Sequence, residues 1–523
     1  MKKIMAKQFP KGIQTFADIR NGNYYYVDKT PYIIDLVKEK FVFLSRPRRF
    51  GKSLTLDTIA ELFMGSKALF EGLYAESQWD WDIQYPVIRL GFAGGVMDSE
   101  ERFLENVKSQ FHYQARRLNI QLESSRSLSV MFRDLIESTV MAYKQPVVIL
   151  VDEYDKPILD NLANSSQAIV MRDKLRDLYS IIKEQDKNIR FAMLTGVSKF
   201  SKVNLFSGLN NLTDITLLKQ YSAICGYTQA ELETVFAPEL MANNVNLVEM
   251  QRWYNGYNWT GESVYNPYDV MLYLADSEKL FKSYWFETGS PAFLMDMLFE
   301  KRVDITTLQG TNGSEQVLSQ FDVGDISPIA LMFQTGYLTI DEVQSLPFGV
   351  RYTLKFPNIE VQQSFNQAVI HRFVPNSDLK FMTIQSDLYQ SLLENDSALM
   401  FATIEAFFAG IPYNWHINND IAHFEGYWAS VFYGYFSSIG VPIHVEESSR
   451  NGRMDMTVLF DNRVYIFEFK VVKQGDTIEN TLQQALAQIT EKGYADKYNS
   501  KNKQVYQIGV AFDEVNRTVI FAS

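Results

Sequence analysis

A chain of 523 residues is too long for one ordinary hydrophobic core and predicts roughly three or four domains of about 100 to 200 residues each. With 46% hydrophobic and 14% aromatic residues it is far from the composition of disorder, and its net charge of −12 argues against a basic coat that binds nucleic acid over the whole surface. No stretch reaches the roughly 18 uninterrupted apolar residues of a membrane helix, the opening "MKKIMAKQFPKGIQTF" lacks a signal peptide's apolar core, and Cys225, the only cysteine, excludes an internal disulfide and a zinc–cysteine cluster. These features predict a cytoplasmic protein with no membrane partner.

In chain order, Tyr24 to Tyr26 reads as a packed strand, with Asp28 capping the helix that follows. "KFVFLSRPRRFGKSLTLDTIAELFMG" then predicts a buried strand at 41 to 45, a short loop, and a helix from about residue 52, where Leu54, Leu56, Ile59, Leu62 and Phe63 recur at helical spacing. The loop nearly matches the phosphate-binding pattern G-x-x-x-x-G-K-[ST]: Gly51, Lys52 and Ser53 stand in place, but Arg46 replaces the leading glycine. A helix that starts there aims its unpaired N–H groups at an anion. Arg46, Arg48 and Arg49 read equally well as phosphate clamps or as a solvated basic edge.

A nucleotide held in this way needs an acidic strand end for Mg²⁺. "PVVILVDEYDKP" supplies it, with Val147 to Val151 running into Asp152, to hold the metal water, and Glu153, to polarise an attacking water. "PVIRLGF" at 86 to 92 adds a strand between the two motifs, and "IRFAMLTGVSKF" at 189 to 200 adds one ending in Thr195, Ser198 and Lys199.

From "FADIRNGNYYYVDKTPYIIDLV" through "FLSRPRRFGKSLTLDTI" and "VDEYDKP" to "GVSKFSKVNLFSGLNNLTDIT", the first 216 residues resemble the AAA-ATPase-like proteins of bacteria. In that family the Arg-Pro-Arg-Arg opening of the loop is the usual form. The resemblance implies a P-loop core of the additional-strand, AAA type over 1–216. The nucleotide set it implies is Arg46, Arg48, Arg49, Phe50, Gly51, Lys52, Ser53 and Leu54, with Asp152, Thr195 and Ser198. ATP and Mg are the implied cofactors, the metal being held by Ser53 and Asp152.

The middle reads as a helical lid over 217–300, with a helix beginning near Asn266-Pro267, and a winged-helix-like domain over 301–385. In the latter, helix "SPIALMFQTG", strand "YLTI", strand "YTLKFP" and helix "NIEVQQSFNQAVIHRF" follow one another. Few Lys or Arg on the last helix argue against direct DNA contact there.

Residues 386–523 predict helix, three strands, helix, strand, with "GRMDMTVLF" and "RVYIFEFKVV" joined by a tight Asp461-Asn462 turn. The period of two places Glu468 and Lys470 on one face, where Asp455 of the neighbouring strand can meet Glu468. Two carboxylates there would bind Mg²⁺, and Lys470 would orient a water or screen the charge of a phosphodiester. This arrangement resembles the PD-(D/E)xK nuclease superfamily, although Met454-Asp455 stands where the proline-aspartate pair would be. The resemblance further implies Glu425 of the first helix as a metal ligand and Gln488 as a polar residue of the second. The five histidines show no ligand spacing.

The chain thus reads as an α/β protein in which nucleotide state controls a Mg-dependent nuclease-like domain acting on DNA, more readily than RNA, with homo-oligomers possible. The rival is a nucleotide-operated switch or scaffold whose nuclease fold is used only for binding.

Overall fold

The computed structural model describes residues 7–124, 127–199, 211–285, 292–301, 303, 305–319, 321–322, 325–373, 378–409, 425–449, 452–473, 475–499, 503–513, 516 and 518–523. They form two compact units, Met1–Thr288 with Asn312–Asn358, and Gly289–Thr311 with Ile359–Ser523.

The first unit is built on a parallel sheet of β1 (Phe41–Ser45), β2 (Val87–Gly91), β3 (Val147–Asp152), β4 (Ile189–Gly196) and β5 (Thr213–Asp214), in the spatial order β2-β3-β4-β1-β5. All five residues of β1 and the first five of β3 are buried, as expected of parallel strands covered on both faces. The helices Lys52–Phe63, Glu100–Arg117, Leu128–Tyr143 and Ser165–Glu184 connect and cover them. Three of these begin at side-chain caps, where the Ser99, Ser127 and Asn164 oxygens accept N–H groups of the first turn. In sequence the strand between the two motifs is β2, but in space it is β4 that separates β1 from β3. The phosphate loop and Asp152-Glu153 therefore open at the carboxyl ends of strands two places apart, where ligands of open α/β sheets bind.

Tyr24 to Tyr26 forms no strand. Tyr24 makes an isolated bridge to Gln8, and Tyr25 and Val27 leave the sheet to pack with Leu232, Phe236, Met250, Tyr254 and Val270. Asp28 does accept from the N–H and hydroxyl of Thr30 at the next helix start. The helix expected near Asn266-Pro267 spans Pro267–Ala275, and its cap is the Asn266 side chain, 2.8 Å from the Tyr268 N–H.

The short strands β6 (Asn312–Ser314), β7 (Phe321–Asp322) and β8 (Asp325–Ile326) precede helix Pro328–Thr335 and the hairpin of β9 (Thr339–Leu346) and β10 (Gly349–Lys355). These elements and helix Ile359–Phe373 follow in the order read for 301–385, with β6 joining the hairpin as a third strand. The exchange between units at Asn358 falls inside that stretch, so the hairpin and the last helix belong to different units.

The second unit carries a mixed sheet in the order β11 (Ile443–Ser449), β12 (Gly452–Phe460), β13 (Arg463–Val471), β14 (Gln504–Asp513) and β15 (Thr518–Ala522). Asp461 and Asn462 alone join β12 to β13, and Asp461 takes the positive φ of 53° that a tight hairpin turn requires. β13 and β14 are parallel and joined through helix Ile478–Glu491, which packs on both. Helix Glu425–Ser438 packs on β11, β12 and β13. β15 corrects the expectation that β14 is the last strand: five residues at the C-terminus pair antiparallel with β14 and cover what would otherwise be an exposed edge.

Candidate active sites

The loop after β1 borders a cavity of about 420 Å³. Its lining comes from Arg48 to Leu54 of the loop and helix start, from Glu153 and Lys156 after β3, from Pro10, Gly12, Ile13 and Gln14 with Tyr25 and Tyr26, and from Ile224 to Tyr227 with Pro267, Tyr268 and Met271. Gly51 sits at φ 92°, a conformation that favours glycine, and a Cβ built on it meets nothing within 4 Å. The backbone ahead of helix Lys52–Phe63 is thus an open cradle, which is what a phosphate chain at a helix N-terminus requires. Lys52 is buried with its ammonium 2.9 Å from the carbonyl oxygens of both Arg46 and Pro47. Burial holds its pKa below the usual lysine range, opposed chiefly by Asp152.

Arg46 does not belong to this cavity. Its side chain is 1% exposed, donates to the carbonyls of Ser45, Thr216 and Tyr221, and stacks at 4.1 Å over the Trp259 ring. Burial pushes its pKa down to about 10, so it stays charged at neutral pH. The residue in the glycine's place is a strut between the loop and residues 216–259, and the expectation of a phosphate clamp there is corrected. Phe50, which packs edge-on against Tyr257 and Trp259, reinforces the same join.

At the end of β3, Asp152 Oδ1 accepts from the Thr195 hydroxyl at 2.8 Å and from the Glu153 N–H at 3.0 Å. Neither bond uses Oδ2. Thr195 is fully buried and positions Asp152 from β4, and it does not line the cavity. Ser198 is also withdrawn: its hydroxyl and N–H donate to Asp155 Oδ2 at 2.5 and 2.6 Å, alongside the Val197 N–H at 3.1 Å. Asp155 is the functional neighbour that the sequence reading missed. Its signal is the second aspartate of "DEYD", three residues past the strand end. Glu153 lies on the cavity at φ 51°, a conformation uncommon for a non-glycine residue. Burial and then the Asp152 charge raise its pKa above the usual glutamate value, while Lys52 and Arg48 pull it down.

In the second unit the pairing of β12 with β13 runs as far as Met456 opposite Phe467. One residue further, Asp455 Oδ2 accepts the Phe469 N–H at 2.8 Å. Glu468 is fully buried, and Lys470 donates to its Oε1 at 3.2 Å and to the Phe469 carbonyl at 3.1 Å. Tyr494, buried at the end of the helix that carries Gln488, has its pKa raised first by burial, while a hydrogen bond with Gln488 lowers it and Glu468 and Asp455 raise it further. Asp455, Glu468, Lys470 and Gln488 therefore lie near one another, the first three as the strand period and hairpin lead one to expect and Gln488 as the resemblance implies. Glu425 opens helix Glu425–Ser438, but its side chain lies outside the described residues, as do residues 200–210 of the "GVSKF" block. Among the described residues no three His, Cys, Asp or Glu side chains converge as a metal cluster, and the carboxylates described at this place are Asp455 and Glu468. Two carboxylate donors with an adjacent lysine fit a magnesium-like ion, which prefers oxygen ligands and retains several waters.

Residues 10–206 match the family described as "Predicted AAA-ATPase", and residues 423–522 match the PD-(D/E)XK nuclease superfamily. A protein of Azotobacter chroococcum mcd 1 described as "Uncharacterized protein in vnfD 5'region" is 48% identical over 516 residues, 98% of each chain. The parallel sheet and the C-terminal mixed sheet have the forms that these two matches require. No helix among the described residues is long and apolar enough to cross a membrane.

Proposed function

Because the chain belongs to the AAA-ATPase-like family and carries a C-terminal PD-(D/E)XK nuclease superfamily domain, we propose that it binds and hydrolyses ATP and that its nucleotide state controls cleavage of nucleic acid, DNA in preference to RNA. The observation that carries the first half is that Gly51, Lys52, Ser53 and Glu153 line one cavity. In it the N–H groups ahead of helix Lys52–Phe63 cradle the phosphates, and Lys52 exchanges two carbonyl partners for phosphate oxygens. Ser53 and Asp152 hold Mg²⁺, and Glu153 takes a proton from the attacking water. In the second unit Asp455 and Glu468 hold the ion, with Glu425 as a further ligand, and Lys470 orients the nucleophile or screens the phosphodiester. A bound divalent ion supplies charge neutralisation and a more acidic water. The protein acts as a cytoplasmic enzyme.

The test is cleavage of linear, nicked and single-stranded DNA and of RNA, with Mg²⁺ or Mn²⁺, with and without ATP. Cleavage that depends on ATP and is lost in Lys52→Ala and in Glu468→Ala is the expected result. ATP binding without cleavage of any substrate would replace the nuclease with a nucleotide-operated scaffold.

A further inference from the structure

The loop opens with three arginines, and the structure gives each a different environment. Arg46 is consumed by three carbonyls and the Trp259 ring. Arg49 stands at φ 68° with its guanidinium 4.8 Å from the centre of the Tyr268 ring, at the start of helix Pro267–Ala275. That contact ties the loop to that helix. Arg48, like Arg49, is exposed, lines the cavity with Lys52, Ser53 and Glu153, and among the described residues makes no hydrogen bond or ion pair, but unlike Arg49 it has no ring contact either. Its charge nevertheless reaches Glu153.

A guanidinium that lines the same cavity as the candidate base and has no hydrogen-bonded or ionic partner among the described residues is placed for charge that develops during reaction. We propose that Arg48 meets the outer phosphate of ATP in the transition state, so that each chain supplies its own charge-stabilising arginine and turns over without borrowing one from a second copy. The inference rests on the ATP-hydrolysing reading above and deepens it. In the step concerned, the water oxygen bonds to the γ phosphorus while the bond from that phosphorus to the β,γ-bridging oxygen breaks. The electron pair leaves with ADP, and the water's proton goes to Glu153. Negative charge spreads over the γ-phosphoryl oxygens and the bridging oxygen, where a planar five-donor cation is worth more than in the ground state. Lys52, fixed by the loop carbonyls, serves ground state and transition state alike. Arg48, solvated before ATP arrives, gives up little to move.

The experiment compares the full chain with Arg48→Ala, Arg48→Lys and Arg48→Gln. The melting curve should match the parent in all three, since Arg48 makes no hydrogen bond or ion pair among the described residues. Turnover of saturating ATP should fall by roughly 10³-fold or more in Arg48→Ala, the scale of a lost arginine finger. Arg48→Lys should recover little of it, because a lysine presents a point charge in place of the fork. Binding of ADP with aluminium fluoride, which imitates the transferring phosphoryl group, should be lost in step with turnover. The parent's rate per chain should stay constant on dilution. Wild-type turnover in Arg48→Ala overturns the assignment and leaves the ATPase reading standing, as does a rate per chain that falls on dilution as an oligomer dissociates. A parent that neither binds nor hydrolyses ATP overturns both.

Discussion

Each unit contains a lysine beside carboxylates, and the two lysines are held in opposite ways. Lys52 is satisfied by neutral carbonyls at Arg46 and Pro47, while Asp152 and Glu153 belong to a separate strand end. Lys470 is bonded directly to Glu468, a carboxylate with no exposure to water. The first arrangement stores a cation that can change partners at low cost, since its carbonyls lose only a neutral hydrogen bond. The second pairs a fully buried carboxylate with a lysine whose side chain is 25% exposed, and it is the carboxylate that is costly to leave alone. An anionic ligand suits the first. A cation entering the second has to share Glu468 with Lys470.

The contrast is broken most severely at Glu153, where the first site would do chemistry. Glu153→Gln should bind ATP normally and lose roughly two to four orders of magnitude in turnover, the size of a missing general base. Its pKa is raised by burial and Asp152, and hydrolysis needs the deprotonated form. The rate should therefore rise with pH through a midpoint above the ordinary glutamate value. Steady-state profiles of the parent test this, and an acid limb at or below that value would reassign Glu153.

A smaller effect separates two kinds of buried carboxylate. Asp155 is 1% exposed and its Oδ2 takes three donors from Val197 and Ser198. Asp155→Ala would orphan two N–H groups and should cost roughly 2–4 kcal/mol in denaturant unfolding. Asp155→Asn offers the same donors an amide oxygen and should lose much less. Burial raises the Asp155 pKa in the folded chain, so the folded state binds its proton more tightly than the unfolded one. That contribution is present below the unfolded value of about 3.9 and is lost as pH rises through the folded value. The parent should lose stability relative to Asp155→Asn across that window; a constant difference would mean that the three donors cancel burial, and a gain with rising pH that they outweigh it.

These two sites were legible to different degrees in the sequence. Strand, loop and helix around Lys52, and the hairpin that brings Asp455 to Glu468, follow from period and turn chemistry within about 20 residues. Where Arg46 points depends on Thr216, Tyr221 and Trp259, about 170 to 210 positions along the chain, and nothing local signals it. Thr195 and Ser198 were recognised as polar residues at a strand end, but whether such a residue faces ligand or a neighbouring acid depends on the register of β4 against β3. The lining from Pro10, Gly12, Ile13 and Gln14 escaped notice because tertiary packing alone brings that segment to the cavity.

The smallest expected effect concerns the ion at the second site. Glu468 has Lys470 as its counter-charge, and Asp455 already accepts the Phe469 N–H, so the fold does not need a metal to stand. Metal should add to stability without being required for it. A ligand that binds only the folded form contributes RT ln(1 + [L]/Kd), about 2.7 kcal/mol at 100 times Kd. Calorimetry of the full chain with Mn²⁺ should show the transition of the second unit moving up by a corresponding amount. Asp455→Ala and Glu468→Ala should each abolish the shift. Lys470→Ala divides the two roles of the lysine: without its competition for Glu468 the ion should bind at least as tightly, while any cleavage is lost. A metal shift that disappears in Lys470→Ala would mean that the lysine holds Glu468 in place for the ion, and the pair would then be a scaffold for the metal site.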